Sequence, residues 1–167
     1  IPEDFMWGRY NSKIFVSDIL FEENSSLKTI NSGFMYGTHS EDVTDLILPE
    51  SLEEADIRYF NVNYLYIGKN VKYIQCLVQK EVEGKAPFVD FNAEELSYDD
   101  NIVSALLDCS SNTTIRIGKN VKYIPEDFLA NSKANIVYFE QNCICSYFSH
   151  DSFRESEVNI LVIPASI

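Results

Sequence analysis

The octapeptide Ile-Gly-Lys-Asn-Val-Lys-Tyr-Ile at Ile67 to Ile74 is repeated letter for letter at Ile117 to Ile124, 50 residues further on. Identity over eight residues at a fixed separation marks an internal repeat, and a repeat constrains architecture more strongly than any local propensity. The second copy runs on into Pro-Glu-Asp-Phe, so that Ile124 to Phe128 reproduces Ile1 to Phe5 at an offset of 123 residues. That offset is about five steps of about 25 residues, the period range of leucine-rich solenoids. Asn11 to Lys13 recurs as Asn131 to Lys133, displaced by a three-residue insertion around Trp7 and Gly8. Both ends of the chain fall in mid-repeat, so residues 1–167 are expected to form a single solenoid belonging to a longer array.

Working outward from the octapeptide, seven short segments end in a large apolar residue with a second apolar residue two positions earlier. They are Asp18 to Phe21, Asp45 to Leu48, Tyr64 to Ile67, Phe88 to Phe91, Thr114 to Ile117, Ile136 to Phe139 and Ile160 to Ile163, spaced 19 to 27 residues apart. Alternation of this kind places the two apolar side chains on one face of a strand. About six to seven coils are thus expected, with one parallel strand per coil and the paired apolar residues facing a common core. A lone coil buries too little apolar surface to offset its ordering entropy, so each depends on its neighbours.

The connecting arcs predict short helices or irregular chain. Ser51 followed by Glu54 has the capping-box spacing ahead of Ala55, Ile57 and Phe60, which predicts a short helix within Pro49 to Phe60. Asn92 with Glu95 offers a similar start, followed by Ile102, Val103, Leu106 and Leu107 at helical spacing. Gly68 and Gly118 are expected to let the chain turn sharply after each strand. Val71, Ile74, Val121 and Ile124 are expected to point inward, and Phe128 to fill the centre of its coil.

Composition narrows the function. The 167 residues carry 46% hydrophobic and 13% aromatic side chains, enough for a sizeable core, and a formal net charge of -13. No nucleic-acid partner is expected on that balance, because phosphate recognition draws on clustered Lys and Arg. No apolar run reaches the ~18 residues of a membrane span, so no membrane insertion is expected of this segment.

The four cysteines, Cys76, Cys109, Cys143 and Cys145, form neither the CxxC pairs of a zinc site nor a dense disulfide framework, and buried thiols are expected. No cofactor or metal is expected. Lys69 and Lys119 follow glycines, but Asn70 and Asn120 stand where a phosphate-binding loop needs Ser or Thr. His150, Asp151 and Ser152 are contiguous, whereas a catalytic triad converges from separate segments. Adjacent acids such as Glu53 and Glu54 read as a solvated face.

The order apolar-x-apolar-Gly-x-x-Val-x-x-Ile-Pro-x-x-Phe in Ile115 to Phe128 resembles the BspA-like leucine-rich repeat, a family of surface proteins in host-associated bacteria and some protozoa. The resemblance is best from Thr113 onward and weakest between Gln75 and Asp108. It implies a right-handed leucine-rich-repeat solenoid with a parallel β-sheet on one side, a cell-surface or extracellular setting, adhesion or protein binding, and no catalytic residues.

Candidate binding residues come from the positions between the paired core residues. Leu20, Ile47, Tyr66, Asp90, Arg116, Tyr138 and Val162 would stack into one outward stripe. Tyr66 and Tyr138 flanking Asp90 and Arg116 form the expected partner-binding face, since Tyr and Arg are enriched at binding hot spots. The leading reading is therefore a non-enzymatic module that binds a protein partner on a host or bacterial surface. A carbohydrate-active β-solenoid enzyme and a purely structural spacer are the alternatives.

Overall fold

A computed structural model describes residues 19–31, 34, 45–79, 81–82, 84–96 and 107–165. Twelve strands are present there: β1 (Thr29–Ile30), β2 (Asp45–Ile47), β3 (Glu54–Asn61), β4 (Tyr64–Ile67), β5 (Tyr73–Val78), β6 (Phe88–Phe91), β7 (Leu107–Cys109), β8 (Thr114–Ile117), β9 (Tyr123–Ile124), β10 (Lys133–Phe139), β11 (Tyr147–Phe148) and β12 (Glu157–Val162). The even-numbered strands form one sheet in the order β12-β10-β8-β6-β4-β2, and all its pairings are parallel. The odd-numbered strands form a second wall, four of them as β1-β3-β5-β7 and two as β9-β11, again parallel. Parallel neighbours cannot be joined by a hairpin. The chain accordingly leaves the six-stranded sheet after each strand, contributes one strand to the second wall, and returns.

Side-chain alternation decides which face of the large sheet is buried. Leu46, Leu65, Val89, Ile115, Val137 and Leu161 stand opposite one another across its six strands, in one continuous row. A second inner row contains Ile67, Phe91, Ile117 and Phe139. Facing them from the other wall are Ile30, Ala55, Ile57, Ile74, Cys76, Val78, Leu107 and Ile124, all buried. Toward the C-terminal side the space between the walls is filled by a chain of edge-to-face rings running Phe91, Phe128, Phe153, Phe148 and Phe139, with centroids 5.1 to 6.1 Å apart.

The expected strands at Tyr64 to Ile67, Phe88 to Phe91 and Thr114 to Ile117 form with those bounds, and those at Asp45, Ile136 and Ile160 form with small shifts. Ile19 and Phe21 pack against the core, but no ladder forms there, and Asp18 lies outside the described residues. So do Ile1 to Phe5, Asn11 to Lys13, and Ile102, Val103 and Leu106 of the second expected helix.

The helix expected within Pro49 to Phe60 is not formed. Glu54–Asn61 is a strand, and no helix occurs among the described residues. The Ser51 hydroxyl, which would cap a helix, instead donates to the Leu27 carbonyl of the preceding arc at 2.8 Å. Glu54 to Ile57 pair with Tyr73 to Cys76, and Glu54 and Ala55 pair on their other side with Thr29 and Ile30. Backbone groups that a helix would satisfy locally are satisfied by the neighbouring arcs. At the borders of the second expected helix Asn92 turns its amide to Asp90 and Leu107 opens β7, while residues 97–106 lie outside the described residues.

Gly68 and Gly118 do not have the left-handed backbone that only glycine adopts easily; among glycines that conformation is found at Gly84. The reason for Gly118 is close approach. Its N–H donates to the Phe91 carbonyl at 2.7 Å, and a Cβ there would collide with the Asn92 side chain. At Gly68 the nearest atoms belong to the Glu50 carboxylate, at 3.4 to 3.6 Å, an ordinary contact distance.

The inner row ends unevenly. Leu65 is fully buried, whereas Leu161, in the same row on β12, is 40% exposed, and Ile163 beyond it is 50% exposed. Leu65→Ala is expected to cost about 2–5 kcal/mol and Leu161→Ala less than about 1 kcal/mol, measured by urea unfolding. Equal costs would mean that β12 is as well covered as β4.

Candidate functional site

The outward face of the six-stranded sheet carries the predicted stripe as a single aligned row. Ile47 stands opposite Tyr66, Tyr66 opposite Asp90, Asp90 opposite Arg116, Arg116 opposite Tyr138, and Tyr138 opposite Val162. All four expected site residues are thus consecutive members of one row. Leu20 stands apart from the ladder and is 90% exposed.

A second outward row, two residues earlier on each strand, was not singled out by the sequence reading. It consists of Asp45, Tyr64, Phe88, Thr114, Ile136 and Ile160. Tyr64 and Phe88 stack within it, with centroids 6.0 Å apart and planes 19° from parallel. The same alternation that identified the first row contained this one, since strands of four residues present two outward positions.

Asp90 and Arg116 form a closed ion pair at the middle of the face. Arg116 donates to Asp90 Oδ1 from Nε at 3.0 Å and from Nη2 at 2.7 Å, and to Oδ2 from Nη2 at 2.6 Å. Asn92 Nδ2 adds a bond to Asp90 Oδ1 at 2.8 Å, so the carboxylate is held from two sides. Glu140 stands 3.9 Å from the remaining Arg116 nitrogen and accepts the Lys119 N–H. Arg116 is therefore committed within the chain and offers a partner its plane rather than its full set of donors. Because Asp90 is buried, reversing the charge of Arg116 would destabilise the sheet, and tyrosine truncation is the cleaner probe of the face.

Tyr66 donates its hydroxyl to Glu50 Oε1 at 2.6 Å. Burial, followed by the Glu50 hydrogen bond, pushes its phenol well above the ordinary tyrosine value, and burial raises Tyr64 as well. Both therefore remain neutral donors with apolar rings. An all-parallel sheet is ordinarily covered on both faces. This one leaves a surface of rings, aliphatic side chains and one locked ion pair uncovered among the described residues.

Elsewhere the cysteines and the Ser152 hydroxyl are turned inward. Cys76, Cys109, Cys143 and Cys145 are buried free thiols, and desolvation raises the pKa of each. Ser152 is buried with its hydroxyl on the Ile124 and Ser149 carbonyls, while the exposed His150 pairs with Asp151 at 3.1 Å. Among the described residues no group of three or more His, Cys, Asp or Glu is placed to hold a metal ion. No helix there is long and apolar enough to cross a membrane.

On the second wall a hollow of about 460 Å³ is lined by lysines and acids, among them Lys28, Glu53, Lys72, Glu95 and Lys122. Its charges pair across neighbouring arcs. Glu53 meets Lys28 at 2.8 Å and Lys72 at 2.7 Å, and Glu95 meets Lys122 at 2.5 Å. Comparison of the chain with family models, curated proteins and solved structures gives no match. The functional reading therefore rests on the face itself.

Two predictions test this geometry. Gly118→Ala forces Asn92 from its place beside Asp90 and is expected to cost about 1–3 kcal/mol, whereas Gly68→Ala, in the identical octapeptide, stays within about 1 kcal/mol of the parent. Thermal unfolding of the two variants checks this, and equal shifts would remove the Asn92 contact as the cause. Second, the hydrogen bonds from Lys28 and Lys72 hold the Glu53 carboxyl down to about 2. The stabilisation this gives is complete above the ordinary carboxylate value and is lost as acidification approaches 2. In a Lys28→Met, Lys72→Met variant, NMR titration should return Glu53 to the ordinary carboxylate range; a Glu53 still titrating near 2 would assign the shift to another cause.

Proposed function

We propose that the chain is a leucine-rich-repeat solenoid segment that binds another protein through the outward face of its six-stranded sheet. One strand per turn in the large sheet and one in the second wall is the alternation such a coil requires. The observation that carries the binding reading is the outward face of an all-parallel sheet, over which no second layer packs among the described residues, lined by Tyr64, Tyr66, Phe88 and Tyr138 around the Asp90–Arg116 pair. Rigid aromatic side chains on a regular sheet give large contact area at small entropic cost, which is the composition of binding hot spots. The resemblance of Ile115 to Phe128 to BspA-like repeats supports a cell-surface or secreted setting and a partner on a host or bacterial surface.

The test compares capture of proteins from host and bacterial surface extracts by three forms of the chain. The parent and a Lys122→Gln variant of the second wall are expected to retain the same partner. Tyr66→Ala combined with Tyr138→Ala is expected to lose it, with an unchanged far-ultraviolet circular dichroism spectrum. Retention by the double tyrosine variant would remove this face as the binding surface.

A further inference from the structure

The outward face changes chemistry at its β2 side. There an open groove of about 530 Å³ lies between residues 19–23 and strands β2 and β4. Its lining is mainly apolar and aromatic, with Leu20, the 58% exposed Ile47, and the rings of Tyr64 and Tyr66. Four carboxylates also line it, those of Glu22, Glu23, Asp45 and Glu50, and among the described residues no lysine or arginine does. None of the four forms an ion pair with a described residue. Glu50 has one side-chain partner, the Tyr66 hydroxyl, which fixes that carboxylate beside the ring. Elsewhere Asp90, Glu53, Glu95, Asp127 and Glu157 each meet a cation from a neighbouring repeat.

The chemistry of this groove selects its occupant. A purely apolar side chain would desolvate carboxylates without compensating them, and an anionic one would be repelled. A lysine or arginine matches both halves of the lining, with its methylene stem on Ile47 and Leu20 and its charged head between tyrosine rings and carboxylates. The groove is also continuous with the two outward rows, since Ile47 and Tyr66 head one and Asp45 and Tyr64 head the other. A protein lying along the sheet therefore reaches it.

We propose that this groove docks a lysine- or arginine-bearing extended segment of the protein partner, anchoring one end of that partner on the sheet face. The proposal rests on the binding face described above. Its test does not require the partner. The full chain is titrated by fluorescence anisotropy against a labelled acetyl-Gly-Val-Lys-Val-Arg-Val-Gly-amide peptide, against the same peptide with glutamate at both basic positions, and against spermine as competitor.

The basic peptide should bind, the acidic one should not, and affinity should fall about tenfold in Asp45→Asn, Glu50→Gln and with rising salt. Glu22→Gln with Glu23→Gln, on the opposite side of the groove, should weaken binding in the same direction, while Glu95→Gln on the second wall should leave it unchanged. Equal binding of the two peptides, indifference to both sets of carboxylate changes, or competition by spermine at concentrations equal to the peptide would overturn the proposal. Partner capture lost in the double tyrosine variant but kept in Asp45→Asn, Glu50→Gln would defeat the groove and leave the face standing.

Discussion

In-register parallel pairing of the six even-numbered strands is the constraint on which the rest depends. Because each strand has two parallel neighbours or lies at an edge, every inner residue repeats at the same depth as the one before it, and every outer residue is lifted to the same height. The buried row from Leu46 to Val137 and the outward row from Ile47 to Val162 are two results of one register. Stability and surface recognition are thereby coupled. A slip of one residue would carry Tyr66 and Arg116 inward and expose Leu65 and Ile115.

The site gains its rigidity from this arrangement and from one small vacancy. Gly118 leaves room for Asn92, Asn92 holds Asp90, and Asp90 holds Arg116. Asp90 on β6, with Asn92 and Gly118 just beyond β6 and β8, thus fixes the guanidinium of Arg116 within the outward row between Tyr66 and Tyr138. The arginine contributes shape and orientation to the face, and the tyrosines contribute its rings.

Strands of the large sheet were legible in the sequence because their code is local: two apolar residues two apart, ending before a turn. The outward row was legible for the same reason, since register follows once each strand's last apolar residue is aligned. The arcs were not. Ser51 and Glu54 satisfy a helix-start pattern, yet the partners that decide the matter, Leu27 and Tyr73 to Cys76, lie about 20 residues away in neighbouring arcs. The Asp90–Arg116 pairing could be anticipated from their alignment, but Asn92 and the steric role of Gly118 required knowing which atoms approach. The acidic groove left no linear signal, because Glu22 and Glu23 meet Asp45 and Glu50 only after the chain has folded around them.

The identical octapeptides stand two repeats apart and place like charges at matching positions of the second wall. Lys72 and Lys122 each belong to a copy, and the arcs beside them present Glu53 and Glu95, so that sign alternates in sequence order from Lys28 through Glu53, Lys72 and Glu95 to Lys122, with ion pairs joining the first three and the last two. Such a ladder has a unit of two repeats, not one. A gene rearrangement that duplicates or deletes a pair of repeats leaves every opposite-sign neighbour in place, whereas one that adds or removes a single repeat sets lysine against lysine or glutamate against glutamate. A pair of repeats is therefore the smallest unit that can be copied here without setting like charges side by side.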